Sequence, residues 1–335
     1  MLTLALRKTS IIVALTMLVL IATIPSAPAQ TLILTVLTDK YVYNIGETVT
    51  IYGNLTQNSQ PISGAFIALQ LNTPKGILLI RTVQTAPNIT VYCPIYIWRV
   101  TPCDQNGNPK SSFSRNSRAY FKVELTNFSP DPLTPLVTIN PFDANNISIG
   151  YTFASGLILS GELTQMILQM IIPGDATLGT AKVYASAFTD WPELNGTAYC
   201  PEKSAAFQIT LSGGAGSSQS INAQKLDFTT QSTENGTYSL SFRLHPTADT
   251  GTYTIFATSQ YQSEKVVISK IFLVGIKGDI DHDGTVGPID LGILGAAWGS
   301  YPGDPNYNPD ADLDGVPPIG PIDLGILGAY WGYIS

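Results

Sequence analysis

Thr48-Val49-Thr50-Ile51-Tyr52-Gly53 sets Val49 and Ile51 two residues apart between polar or small neighbours. Successive side chains of a strand point to opposite faces, so this period of two suits a half-buried strand. Ala119-Tyr120-Phe121-Lys122-Val123-Glu124-Leu125, Thr252-Tyr253-Thr254-Ile255-Phe256-Ala257 and Lys265-Val266-Val267-Ile268 alternate in the same way. Gly, Pro, Asn and Asp punctuate these runs at intervals of about 8 to 15 residues, and no long segment keeps a helical period. The expected fold is mainly β, built of antiparallel sandwiches.

Composition narrows the function. The chain has 335 residues, of which 44% are hydrophobic and 12% charged, far too apolar for a disordered protein. Two histidines and three cysteines leave little material for metalloenzyme or triad chemistry. From Lys277 onward there are nine Asp and one Lys, a local charge of −8 against −7 for the whole chain. Acid concentrated at one end with no basic cluster argues against nucleic acid and for a cation.

The order of the strands carries a further clue. Asp39-Lys40-Tyr41-Val42-Tyr43-Asn44-Ile45-Gly46-Glu47, followed by Gly64-Ala65-Phe66-Ile67-Ala68-Leu69, resembles the first half of a prokaryotic surface Ig-like module. The text of the second half stands some 150 residues later, as Asn235-Gly236-Thr237-Tyr238-Ser239-Leu240-Ser241-Phe242 and Thr250-Gly251-Thr252-Tyr253-Thr254-Ile255. Half a sandwich would leave an apolar face and open edges. The resemblance therefore implies a discontinuous Ig-like sandwich, 31–86 plus 222–275, interrupted by a second at 87–211. The insert has seven expected strands near Tyr96–Thr101, Ala119–Thr126, Pro135–Ile139, Ile147–Phe153, Met166–Ile172, Ala181–Phe188 and Ser204–Leu211. A Gly/Ser linker, 212–221, leads back. Two sandwiches in series are the alternative.

The last sixty residues carry the most specific pattern. Gly287 to Gly299 matches Gly320 to Gly332 at 12 of 13 positions, an offset of 33. Ahead of the first copy, Asp279, Asp281 and Asp283 take positions 1, 3 and 5 of a twelve-residue calcium loop. Gly284 makes the turn at 6, the Thr285 carbonyl serves at 7 and Asp290 closes at 12. The second loop admits two registers. Asp310, Asp312 and Asp314 repeat the D-x-D-x-D-G core, but Asp323 then falls two residues late; without gaps, Asp312 and Asp314 stand at 1 and 3, with Val316 and Pro317 at 5 and 6. Either way it is the weaker site.

Two such loops, each followed by one short helix, resemble a dockerin. The resemblance implies a small α-helical, near-twofold domain over 276–335 that binds Ca2+ and attaches to a cohesin. Loop positions 10 and 11, which carry partner recognition in that family, are Pro288-Ile289 and Pro321-Ile322. Both pairs are apolar, so the expected partner is a cohesin-like or other β-sandwich protein at the cell surface. Ile293, Leu294 and Trp298 are expected to pack against Ile326, Leu327 and Trp331.

Arg7 and Lys8, the apolar run Ile11–Ile24 and Ala27-Pro28-Ala29 read as a secretory signal peptide, 1–29, cleaved before Gln30. A kept N-terminal anchor is the alternative. The mature chain is expected to be extracellular or surface-associated, without a membrane span. Six sequons, Asn54, Asn88, Asn127, Asn146, Asn195 and Asn235, are candidate glycan sites. Export permits a disulfide, with Cys200 joined to Cys93 or Cys103.

A non-catalytic surface protein with Ig-like binding or spacer modules and a calcium-dependent tail is the leading expectation. A carbohydrate-binding component of a polysaccharide-degrading assembly is the alternative, resting on Tyr92, Tyr96, Trp98, Trp191 and Tyr199 as a stacking platform. No enzyme is expected: GxSxG, HExxH and Cys/His pairings are absent, and a glycosidase's carboxylate pair is the form an activity would take.

Overall fold

The alternating runs become strands that pair across long stretches of chain. A computed structural model of the protein describes residues 31–87, 91–211 and 234–333. The signal segment, Asn88 and the 212–221 linker lie outside the described residues. Among those described, the chain is mainly β, with two α-helices.

The first group of strands comprises β1 (Leu32–Leu34), β2 (Leu37–Thr38), β3 (Val42–Asn44), β4 (Thr48–Gln57), β5 (Gln60–Pro61), β6 (Phe66–Thr73) and β7 (Gly76–Gln84). The last comprises β16 (Thr237–Arg243), β17 (Gly251–Tyr261) and β18 (Glu264–Gly275). Strand β16 pairs antiparallel with β4, from Thr237 opposite Asn54 to Arg243 opposite Thr48. Strand β17 sits between β6 and β18, and β18 runs parallel beside β3. These two widely separated stretches thus complete each other's sheets. They share one core, with Val49, Ile51 and Leu69 against Leu240, Phe242 and Phe272, all at 0% exposure. At Gly53 the alternation breaks for steric reasons: a β-carbon there would lie 1.9 Å from the Thr35 carbonyl oxygen.

Between these groups lie β8 (Ile95–Cys103), β9 (Ser112–Ser114), β10 (Arg118–Asn127), β11 (Leu136–Phe142), β12 (Thr152–Ser155), β13 (Leu163–Ile171), β14 (Gly179–Phe188) and β15 (Lys203–Thr210). They form a three-stranded sheet, β13-β10-β8, and a five-stranded one, β12-β11-β14-β15-β9. Both line a second core in which Phe113, Phe121 and Phe207 pack ring against ring. The last of them, β15, runs parallel beside the short β9. Of the run 147–153, only its end enters a strand, β12.

The two cores meet along β7. Ala68 and Ile80 pack with Leu136 and Phe188. Arg81, only 2% exposed, forms a forked ion pair with Glu202, Nε–Oε2 2.7 Å and Nη2–Oε1 2.5 Å. Its guanidinium carbon lies 3.2 Å from the Tyr184 ring centroid. Burial works against that charge, but the Glu202 carboxylate outweighs it and holds the Arg81 pKa above its ordinary value.

Two sets of sequence expectations are corrected here. The expected bridge is not formed, because Cys93, Cys103 and Cys200 are all buried free thiols. Burial pushes Cys200 up to about 12, with the Ile97 backbone hydrogen-bonding its sulfur. Cys103 lies six residues further along β8, about 20 Å at some 3.3 Å per residue, which excludes it as the partner of Cys200. Among the sequons, Asn127 is fully buried with Nδ2 donating to the Asp131 and Ile158 carbonyls, so no glycan can attach. Asn54 is tied to Thr35 within the sheet, and Asn146 donates to Ser241. Asn195 and Asn235 are exposed.

No helix among the described residues is long and apolar enough to cross a membrane.

Candidate metal centre

The tail is two copies of one unit, each a loop followed by a nine-residue helix, α1 (Pro288–Ala296) and α2 (Pro321–Ala329). Proline at the first helical position presets φ and has no N–H to leave orphaned. The third residue, Asp290 or Asp323, is 1% exposed and turns back to the residue before the helix, accepting from Gly287 N or Gly320 N at 2.7 Å in each copy.

The copies interlock. Val286 donates to the Tyr333 carbonyl and accepts from Gly332 N, while Ile319 donates to the Ser300 carbonyl and accepts from Gly299 N. Each loop therefore pairs with the chain leaving the other's helix, the same bonds displaced by 33 residues. Leu294 and Leu327 fill the space between, with Ile280, Val286 and Ile319.

In the first loop, Asp279, Asp281 and Asp283 each offer a ligand atom within 4.8 Å of the others. Asp290 is the clasp: its Oδ1 accepts from Ile280 N at 2.6 Å and Asp281 N at 3.2 Å. His282 takes φ 60° and Gly284 φ 91°, and Gly284 N donates to Asp279 Oδ2 at 3.0 Å. The Thr285 carbonyl accepts no hydrogen bond among the described residues.

The second loop settles its register. Asp312, Asp314 and Asp323 converge within the same 4.8 Å limit. Asp314 N donates to Asp323 Oδ1 at 3.0 Å, the counterpart of Asp281 N on Asp290. Asp310 is outside the group. It belongs to a 3₁₀ turn, Pro309–Ala311, with its carboxylate 3.7 Å from His282 Nε2. Proline at position 6 is locked near φ −65° and lacks the N–H that Gly284 supplies. Asp312 Oδ2 accepts instead from the Tyr307 hydroxyl at 2.9 Å.

The donor set fits a hard divalent cation. Among the described residues, Asp279 Oδ1 and Asp312 Oδ1 are buried carboxylate oxygens without any hydrogen-bond partner. They occupy position 1 of both loops. An unpaired buried charge is costly, and here the same cost recurs at two equivalent points, each beside further carboxylates. Burial pushes the Asp279 carboxyl above its ordinary range, and Asp290 adds to the push. A cation would oppose both effects by favouring the charged carboxylate.

The tryptophans do not pack between the helices as expected. Trp298 and Trp331 are 45% and 48% exposed, and the helices bury only Asp290 and Leu294 in one copy and Asp323 and Leu327 in the other. Pro288, Ile289, Pro321 and Ile322 are exposed. The symmetric bonds of Val286 and Ile319 follow the gapless offset of 33, the one trace they leave in the sequence.

No family model and no curated protein matches the chain. Several solved structures show partial likeness. An alkylpurine DNA glycosylase from Pseudomonas fluorescens is 10% identical over 35% of this chain and 30% of its own, with a TM-score of 0.26. A β-glucosidase from Erythrobacter marinus is 10% identical over 36% of this chain and 16% of its own, TM-score 0.25. The CARDB domain of a Pyrococcus furiosus protein, in complex with di-metal ions, is 12% identical over 37% of this chain and 99% of its own, TM-score 0.24. The chain thus spans under a third of the first two. Likeness of this size transfers neither fold nor function.

Proposed function

We propose that this is an exported, non-catalytic attachment protein. Two Ig-like β-sandwiches, the second carried inside the first, act as binding or spacer modules. A dockerin-like tail folds around Ca2+ and docks on a cohesin-like or other β-sandwich protein at the cell surface. The observation that carries this reading is the pair of orphaned carboxylate oxygens, Asp279 Oδ1 and Asp312 Oδ1, at equivalent positions of two interlocked loops. Calcium takes six to eight oxygens at 2.3–2.6 Å; loop one offers Asp279, Asp281, Asp283 and the Thr285 carbonyl, while Asp290, whose carboxylate holds three loop amides, would close the site.

The helices support docking. A β-carbon at Gly292, Gly295, Gly325 or Gly328 would meet nothing within 4 Å, so the fold itself has no need of these glycines. Each costs about 1 kcal/mol against alanine in a helix. They leave room for a partner's backbone beside Ile289 and Ile322, which are 60% and 65% exposed.

The test is capture from the surface fraction of the host with the full chain as bait. A partner is expected in calcium that is released by chelator and lost with Ile289→Asp/Ile322→Asp. Capture indifferent to calcium would overturn the reading.

A further inference from the structure

A cavity of about 740 Å³ opens where the two cores meet, and it is independent of the tail. Its walls come from both: the 63–66 and 260–262 segments on one side, 91–94 and 189–199 on the other. Its volume falls within the ~300–1,000 Å³ typical of small-ligand sites, which favour such junctions.

The lining is chemically selective. Phe66, Tyr92, Tyr199 and Tyr261 supply rings, and Gln260 and Gln262 supply amides. Ser63, Thr189 and Thr197 add hydroxyls, and no Asp, Glu, Lys, Arg or His lines the cavity. An anion or cation would find no counter-charge there. A purely apolar ligand would strand the amides and hydroxyls. What remains is a neutral molecule with apolar faces and a hydroxyl-rich edge.

The aromatic surface continues past the mouth. Tyr92 is 67% exposed yet pinned by its hydroxyl, which donates to the Phe128 carbonyl at 3.1 Å. Phe128 meets Trp98 at 6.1 Å between ring centroids, and Trp98 meets Tyr96 at 4.9 Å. Trp98 is 52% exposed and held by Nε1 on Thr126 Oγ1 at 2.9 Å. These rings are exposed but fixed, so little conformational freedom remains to be lost on binding. Trp191 does not belong to this row; it packs on Tyr151 and Phe153.

We propose that this cavity binds a neutral saccharide chain, whose sugar faces lie on Tyr92 and whose hydroxyls reach Gln260 and the threonines. The chain runs outward over Trp98. Rings give the faces their contact, and amides give the hydroxyls both donors and acceptors.

Isothermal titration of the full chain with cellopentaose, laminaripentaose, mannopentaose and xylopentaose tests this. At least one should bind in the micromolar to millimolar range. Tyr92→Ala and Gln260→Ala, both at exposed positions, should each weaken it by about tenfold with circular dichroism unchanged. Trp98→Ala should weaken the pentasaccharide but not the matching disaccharide. Chelating calcium should leave affinity unchanged, so failure here and failure of the tail are separable. Binding by none of the four, binding indifferent to both cavity substitutions, or equal binding of a charged oligogalacturonate would overturn the proposal.

Discussion

Replacing Arg81 with alanine probes how the two cores are joined. The side chain is 2% exposed and holds Glu202, itself only 15% exposed, through two short bonds while lying over Tyr184. Removing one partner of a buried pair costs about 3–5 kcal/mol, mostly the uncompensated charge left behind. Water at the partly open Glu202 relieves some of this, and loss of the ring contact adds some back, so about 3–4 kcal/mol is expected. At about 2–4 °C per kcal/mol for a unit of this size, the melting temperature should fall by about 6–16 °C. Differential scanning calorimetry reads it directly. Since Arg81 joins the cores, the variant should also resolve into two transitions. Arg81→Met/Glu202→Leu should recover more than half of the loss, because no charge is then stranded. A drop within about 2 °C, or a double variant worse than Arg81→Ala, would show that the buried pair does not join the cores.

Three further outcomes follow from the geometry. Gly53→Ala should destabilise by about 3 kcal/mol or more, measured by denaturant unfolding, because its β-carbon would fall 1.9 Å from the Thr35 carbonyl oxygen. Native protein should not react with a thiol reagent at pH 8, and unfolding without reductant should expose three thiols, since all three cysteines are buried and unbridged; a count of one would show a bridge. The Arg99 hydrogen bond holds the Glu124 carboxyl below its ordinary range. A depressed folded pKa stabilises above the unfolded value of about 4.3 and is lost as pH falls through the folded one. The stability difference between wild type and Glu124→Gln should therefore be constant above about pH 5 and shrink toward pH 3, and a difference that grows with acid would contradict it.

The strands were legible where one face is buried. Val49 and Ile51 in β4, and Phe121 and Val123 in β10, alternate because water and core lie on opposite sides. The pairing of β4 with β16 was legible only through the separated text around Asn235 and Thr250, as no local rule links residues nearly two hundred apart. Short elements such as β9 carry too few residues to show a period. In the tail, carboxylate spacing marked Asp279, Asp281 and Asp283, and the structure brings them together. The second register stayed open because D-x-D-x-D-G reads the same from Asp310; the bond from Asp314 N to Asp323 decides it, and backbone bonds leave no trace in sequence. Trp298 and Trp331 misled because an apolar residue at helical spacing looks like core whether or not a partner covers it.

Calcium titration of the chelator-treated full chain, followed by calorimetry, decides whether the tail is a calcium-binding domain. Loop one brings Asp279, Asp281 and Asp283 together above the Asp290 clasp, whereas loop two has Val316 at position 5 and Pro317 at position 6. One tight site and a second at least about tenfold weaker are expected, with Asp283→Ala abolishing the first and Asp314→Ala affecting the second alone. Two equal sites, or no calcium uptake at all, would contradict it.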